Sequence, residues 1–162
     1  MHPLIRTLLF TIVVPGTMTV LIPRWLLGPR AQPVWTDWHA TGAVLIAAGA
    51  LLYLWCAWHF AMRGRGTPGP WDAPKKLVVS GPYRYVRNPM YVGVGAVVLG
   101  ECVLFASVPV LQFFFIGAVV VNGFIFFYEE PVLRSTFGAQ YEEYCRHVRR
   151  WIPRLCPWSP PS

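Results

Sequence analysis

Charge is what this sequence has least of: Lys, Arg, Asp and Glu supply 13% of its 162 residues, against about a quarter in an ordinary globular chain. With 55% hydrophobic residues and a mean hydropathy of +0.44, a chain this short cannot hide its apolar surface in one water-soluble core. Lipid must solvate much of it. Acids are scarcest, seven against 14 Lys and Arg, for a net charge of +7. A nucleic-acid reading would need those bases gathered on one soluble face. They lie instead between and after hydrophobic runs, where such charges set topology and meet anionic lipid. Paired cysteines are missing too: Cys56, Cys102, Cys145 and Cys156 form no CxxC and no His–Cys cluster, so neither a disulfide framework nor a metal site follows from their spacing. Nor does a small-residue cleavage site follow Arg6 and the first apolar run, so the N-terminus is expected to stay as a first helix. The sequence has no internal repeat, and a single domain over 1–162 is expected.

What is present is a series of apolar runs near the 20 or so residues that cross a bilayer. Four spans are expected, over about 4–27, 40–62, 90–106 and 110–128. Pro15 interrupts the first, which inside a membrane means a kink and not a break. Trp35, Trp38, Trp55 and Trp58 flank the second in the manner of interfacial belts. Only Ser107, Val108 and Pro109 separate the third from the fourth, so these two form a tight hairpin. Gly93, Gly95 and Gly100 are expected to meet Gly117 and Gly123 across it.

Charge then orients the bundle. The segment 63–89 carries six Lys or Arg and the tail 131–162 carries five, while Arg24 and Arg30 alone lie between the first two runs. Four crossings put both rich segments on one side, which the positive-inside rule makes cytosolic, with the N- and C-termini there. After Glu129-Glu130-Pro131, the residues Leu133, Phe137, Tyr141, Tyr144, Val148 and Trp151 recur at helical spacing. They predict an amphipathic cytosolic helix within a cap over 129–154 that packs on the membrane domain. Pro153, Pro157, Pro160 and Pro161 end the chain as irregular tail.

Gly64-Arg65-Gly66-Thr67-Pro68-Gly69 spells GxGxxG. That fingerprint works only between a strand and a helix, where backbone amides meet a pyrophosphate. Here it follows a membrane run and leads into Pro70, so it is read as a loop.

Two polar stretches carry the chemistry. One is GPYRYVRNPMYVG at 81–93, at the mouth of the third run; the other is EEPVLRSTFGAQYEEYCRHVRRWIP at 129–153. The hairpin places Tyr91 and Glu129 at one level, so loop and tail must meet. Arg84, Arg87, Arg134 and Arg150 suit a carboxylate, Glu129 and Glu130 an ammonium, and Tyr83, Tyr85 and Tyr91 a heteroaromatic ring or a cation. The same residue types also make an ordinary membrane interface of snorkelling bases and belt tyrosines.

In their order and separation these two stretches resemble the superfamily of isoprenylcysteine carboxyl methyltransferases and phospholipid methyltransferases, over roughly 77–154. The resemblance implies S-adenosylmethionine as cofactor, with S-adenosylhomocysteine as product, bound without a Rossmann domain. Carried over, Gly81, Tyr83, Arg87, Asn88, Pro89 and Tyr91 would line the cofactor site. Glu129 or Glu130 would meet the ammonium or polarise the reacting region, and Arg134 and Arg150 would orient a carboxylate. Many relatives have His where this chain has Asn88, and an amide cannot titrate near neutral pH.

The expectation is an all-α integral membrane protein with about four spanning helices and a cytosolic C-terminal cap, methylating a lipophilic small acceptor that enters from the bilayer, carboxyl or thiol before amine. An anionic acceptor needs alignment and a dry site and no general base; an amine needs its proton removed. The alternatives are a phospholipid amine N-methyltransferase, a nicotinamide-dependent membrane reductase and a non-enzymatic lipid-binding scaffold. No metal and no nucleic acid are expected. Glu101, deep in the third run, is a functional candidate because a carboxyl there is costly; Asn122 is its expected partner, and His59 is expected to border the site or pack at the interface.

Overall fold

All four apolar runs are helical in the computed structural model, which describes residues 3–60, 62 and 76–160, with side chains from residue 7 onward. The GxGxxG loop at 64–69 and the basic residues Arg63, Arg65 and Lys75 lie outside the described residues. Three helices, Thr7–Leu27, Asp37–His59 and Val108–Phe137, are long and apolar enough to cross a membrane, and Pro89–Leu104 is a shorter apolar helix. No strand occurs among the described residues. The chain is an all-helical integral membrane protein with about four spanning helices.

The first rod consists of α1 (Pro3–Gly16), a wide π-helical turn (Thr17–Leu21) and α2 (Ile22–Leu27). Ile22 donates its N–H five residues back to Thr17, directly ahead of Pro23, which has no N–H to give. Thr11 and Thr19 turn their hydroxyls onto the Thr7 and Pro15 carbonyls, each at 2.8 Å. Side-chain bonds of this kind let a membrane helix carry proline.

The second rod, α3 (Asp37–His59), starts on the cap residue Thr36 and lies along α4 (Pro89–Leu104). Their contact is made by missing side chains. A Cβ on Gly49 would lie 2.6 Å from the Gly93 carbonyl oxygen, and one on Gly100 would lie 2.6 Å from that of Gly42. In each helix the two glycines stand two turns apart on one face. This corrects the expected glycine contact across the hairpin: Gly117 and Gly123 have nothing within 4 Å of a Cβ position, and Gly95 meets only the Phe114 ring, at 3.5 Å. The loop between α4 and α5 is as tight as expected, with Ser107 capping α5 (Val108–Phe124), but those two helices pack through side chains.

α5 does not stop at residue 128. A second wide turn (Ile125–Glu129) leads straight into α6 (Glu130–Phe137), with Glu130 donating five residues back to Ile125, again directly ahead of a proline, Pro131. The whole helix has 30 residues, about 45 Å at 1.5 Å per residue, against a hydrocarbon core of about 30 Å. Its last turns therefore stand clear of the lipid. Gly138, at φ +51°, ends α6, and α7 (Ala139–His147) sets off in a new direction. The predicted single amphipathic helix is thus two helices, but its apolar stripe holds: Tyr141, Tyr144 and Val148 are buried, with Leu133 and Phe137 packed on them from α6 and Leu77 and Val79 from the loop ahead of α4.

Candidate active site

Where α4 begins and α6 leaves the membrane, the helices enclose a cavity of about 280 Å³. α1 contributes Phe10 and Val14 and α3 contributes Tyr53; from the loop come Tyr83, Arg87 and Asn88, from α4 comes Tyr91, from the second wide turn Tyr128 and Glu129, and from α7 Tyr141 and Tyr144. Most of the wall is apolar or aromatic. Among the described residues Glu129 is its only carboxylate.

Local sequence explains how the loop is held. Gly81 takes φ +56° and opens a 3₁₀ turn (Gly81–Arg84); a Cβ there would strike the His59 ring at 2.7 Å. His59 also shares a hydrogen bond of 3.2 Å with Ser80, so the end of α3 seats the turn. From the other side Tyr144 donates its hydroxyl to the Tyr83 carbonyl at 2.6 Å. Pro89 then starts α4, its missing N–H costing nothing in a first turn.

The C-terminal tail, expected to be irregular, laces this loop. Arg87 donates its N–H to the Arg149 carbonyl at 2.9 Å, Arg154 to that of Tyr85 at 2.9 Å and Trp158 to that of Arg84 at 3.0 Å. Arg84 returns a bond from Nε to the Trp158 carbonyl at 2.8 Å. The Trp158 indole lies against Tyr144 and, nearly parallel, against His147.

Two carboxylates stand side by side and do different things. Glu129 faces the cavity and accepts a 2.9 Å bond from the Tyr91 hydroxyl. Glu130 points away, is 3% exposed, and takes Arg150 at 2.9 Å, Arg87 at 3.2 Å and Arg134 at 3.4 Å. A carboxylate this buried is tolerable only when paired. Arg87 bridges the two regions: it lines the cavity, binds Glu130 and reaches Cys145 Sγ. Its Nε, and Nδ2 of the neighbouring Asn88, are buried donors without a partner among the described residues. Such groups cost free energy unless something accepts from them.

Burial raises the phenol pKa values of Tyr83, Tyr141 and Tyr144. These hydroxyls stay protonated.

Of the residues singled out from sequence, Tyr83, Arg87, Asn88, Tyr91 and Glu129 meet at the cavity wall. Gly81 and Pro89 shape the loop behind it. Glu130, Arg134 and Arg150 form the adjoining ion cluster, outside the cavity wall, and Arg134 also pairs outward with Glu142 at 2.8 Å. Glu101 keeps one buried carboxyl oxygen without a partner among the described residues. Asn122 is not its partner: it donates to the Ala118 carbonyl at 2.8 Å and accepts from the Trp151 indole at 3.0 Å. Sequence reasoning missed the walls given by Phe10, Val14, Tyr53 and Tyr128, which no motif marks. It had Tyr141 and Tyr144 only as members of a packing stripe.

Against this geometry stands one match: the sequence model of the phospholipid methyltransferase family covers residues 38–140, from the second residue of α3 into the start of α7. Neither a curated protein nor a solved structure matches the chain. The matched span holds both the α3–α4 seam and every cavity residue named here except those of α1 and α7, and the chain belongs to the phospholipid methyltransferase family of membrane methyltransferases.

Proposed function

We propose that the protein transfers a methyl group from S-adenosylmethionine to a lipophilic small acceptor at the cytosolic boundary of the membrane, a carboxyl or thiol ahead of an amine. The observation that carries the reading is the mixed wall of the cavity. One carboxylate, Glu129, stands with Arg87 and Asn88 in a wall otherwise aromatic and aliphatic, and each of those two side chains keeps a buried donor without a partner among the described residues.

This donor set suits the cofactor. Arg87 and Asn88 would hold a carboxylate, Glu129 an ammonium, and the tyrosines a heteroaromatic ring. S-adenosylmethionine supplies an electrophilic methyl carried on a sulfonium; the acceptor's lone pair forms the new bond while the sulfur keeps the electrons of the old one. The chain's part is alignment and exclusion of water. Tyr91 fixes the Glu129 carboxylate by its 2.9 Å bond, and Glu130 fixes Arg87. The apolar α1 and α5 sides suit a greasy acceptor arriving from the bilayer. The bases between and after the spans support a cytosolic placement of this end.

A second reading, N-methylation of a phospholipid amine, is favoured by the family match and by Glu129, which could take the proton an amine must lose. The family of methyltransferases gives the reductase and scaffold readings no support.

Calorimetry of S-adenosylmethionine with detergent-purified protein tests the cofactor. Saturable binding, weakened at least about tenfold (~1.4 kcal/mol) by Glu129→Gln and by Asn88→Leu, is expected. A monodisperse wild type that binds nothing overturns the reading. Methyl transfer to prenylated thiols and carboxylates, run beside ethanolamine phospholipids, then decides between the acceptors.

A further inference from the structure

Outside the cavity, the end of α7 and the tail after it enclose a second, open hollow of about 600 Å³. Arg146, Arg149 and Arg154 border it, together with His147 and Leu155. Glu143 is the acid that pairs among them, holding Arg146 at 3.5 Å and His147 at 3.2 Å. Arg154 is anchored through the His147 carbonyl at 2.6 Å. The Arg149 guanidinium has no hydrogen-bond or ion-pair partner among the described residues. Among the described residues, the positive charge of this hollow is therefore answered only in part, by Glu143.

Beside the arginines the chain exposes what a water-facing surface would hide: Ile152 is 60% exposed and Leu155 is 99% exposed. The depth of Ile152 follows from Trp151, whose indole N–H reaches the Asn122 side chain in α5. Asn122 precedes Glu129 by seven residues, about 10 Å of helix rise, so it lies within the spanning part of the rod. The tail thus touches the spanning part of α5 at Trp151, with Ile152 next to it, and Leu155 follows Arg154, whose N–H bonds the Tyr85 carbonyl at the mouth of α4.

We propose that this hollow binds the headgroup of an anionic phospholipid from the surrounding leaflet. The phosphate sits among Arg146, Arg149 and Arg154, and the acyl chains lie against Ile152 and Leu155. Guanidiniums match phosphate oxygens in charge and geometry, and basic pockets at the membrane surface take acidic headgroups. The apolar pair is what selects a lipid over free phosphate. The site is independent of the methyl-transfer reading. Because Arg149 also accepts from the Arg87 N–H through its carbonyl, a lipid held here steadies the strap that holds the cavity loop.

The test is binding of short-chain fluorescent phosphatidylglycerol and phosphatidylcholine to the full chain in neutral detergent. Phosphatidylglycerol should bind at least about tenfold tighter, and the triple variant Arg146→Gln, Arg149→Gln, Arg154→Gln should erase that preference. Ile152→Ser with Leu155→Ser should weaken phosphatidylglycerol binding while leaving the arginines in place. Should the triple variant fail to fold, Arg149→Gln alone suffices, since its side chain gives up no native bond; a loss of about threefold is expected. Equal binding of the two lipids, or a preference that survives Arg149→Gln and the triple variant, overturns the proposal. So does displacement of the probe by inorganic phosphate with no effect from the Ile152 and Leu155 changes, which would mark a free-phosphate site.

Discussion

α4 is held at two places by opposite means. Along its length it meets α3 where side chains are missing, Gly93 and Gly100 against Gly49 and Gly42. Just ahead of its first turn, Arg87 is held where side chains are large and charged, against Glu130 of α6. In lipid there is no hydrophobic drive between helices, so close backbone approach and polar bonds do the joining. The seam therefore tolerates no addition, and the buried centre of the ion cluster tolerates no removal. The seam sets where α4 stands in the membrane; the cluster sets how the chain turns as it leaves.

Removing the centre of the cluster should have the largest effect. Glu130→Ala leaves three arginines without their shared acceptor, one of them, Arg87, only 13% exposed. Breaking a buried pair from one side costs about 3–5 kcal/mol, and thermal unfolding in detergent should show it. The comparison partner is Arg134→Ala, at a side chain 46% exposed, where about 0–1 kcal/mol is expected. Equal shifts for the two variants would mean that the cluster is solvated and the contrast with the seam false.

Adding one carbon to the seam comes next. Gly49→Ala forces a Cβ to 2.6 Å from the Gly93 carbonyl oxygen, and the helices must part; overpacking of this kind costs about 1–3 kcal/mol. Gly117→Ala meets nothing within 4 Å, so it should be neutral or gain up to about 1 kcal/mol from helix propensity. The same chemical change at two helix positions then reads out the seam directly. Destabilisation at Gly117 and not at Gly49 would restore the α4–α5 glycine contact expected from sequence.

Those two regions were legible to different degrees. Apolar runs of about 20 residues reveal spans whatever packs against them, so the four helices could be read. The glycines could be read too, but not their partners, because sequence adjacency favours a hairpin contact while the matched spacing of Gly42 and Gly49 with Gly93 and Gly100 decides it. Tyr91 with Glu129 followed from the hairpin's length. That Glu129 faces the cavity and Glu130 the arginines did not, since the wide turn at Ile125–Glu129 sets their direction. Pro131, two residues past a wide turn, continues the rod, as Pro23 also does. The proline-rich tail hid its order because its bonds run through backbone groups, which composition does not reveal.

The strap should matter less than the cluster or the seam. Trp158→Ala removes a ring packed at 5.8 Å from Tyr144 and 5.3 Å from His147, while its backbone N–H can still reach Arg84. Aromatic pairs are each worth about 0.5–1.5 kcal/mol, so a loss of about 1–2 kcal/mol is expected, with hydrogen exchange at 84–87 rising before global unfolding. Unchanged exchange at those amides would show that the tail rests on the loop without holding it.

The smallest effect tests the depth of the tail. Trp151→Phe keeps an aromatic ring but deletes the donor that Asn122 Oδ1 accepts from at 3.0 Å. Single polar contacts between membrane helices average about 0.6 kcal/mol, so the shift alone would be hard to interpret. A cycle makes it decisive. Asn122→Leu removes the acceptor, and combining it with Trp151→Phe leaves neither group orphaned, a replacement that can be nearly neutral. The coupling between the two sites should therefore be about 0.5–1 kcal/mol, and Asn122→Leu on the Trp151→Phe background should restore stability. Additive changes would mean that the indole finds water instead of Asn122, and that the tail stands higher on α5 than the hydrogen bond places it.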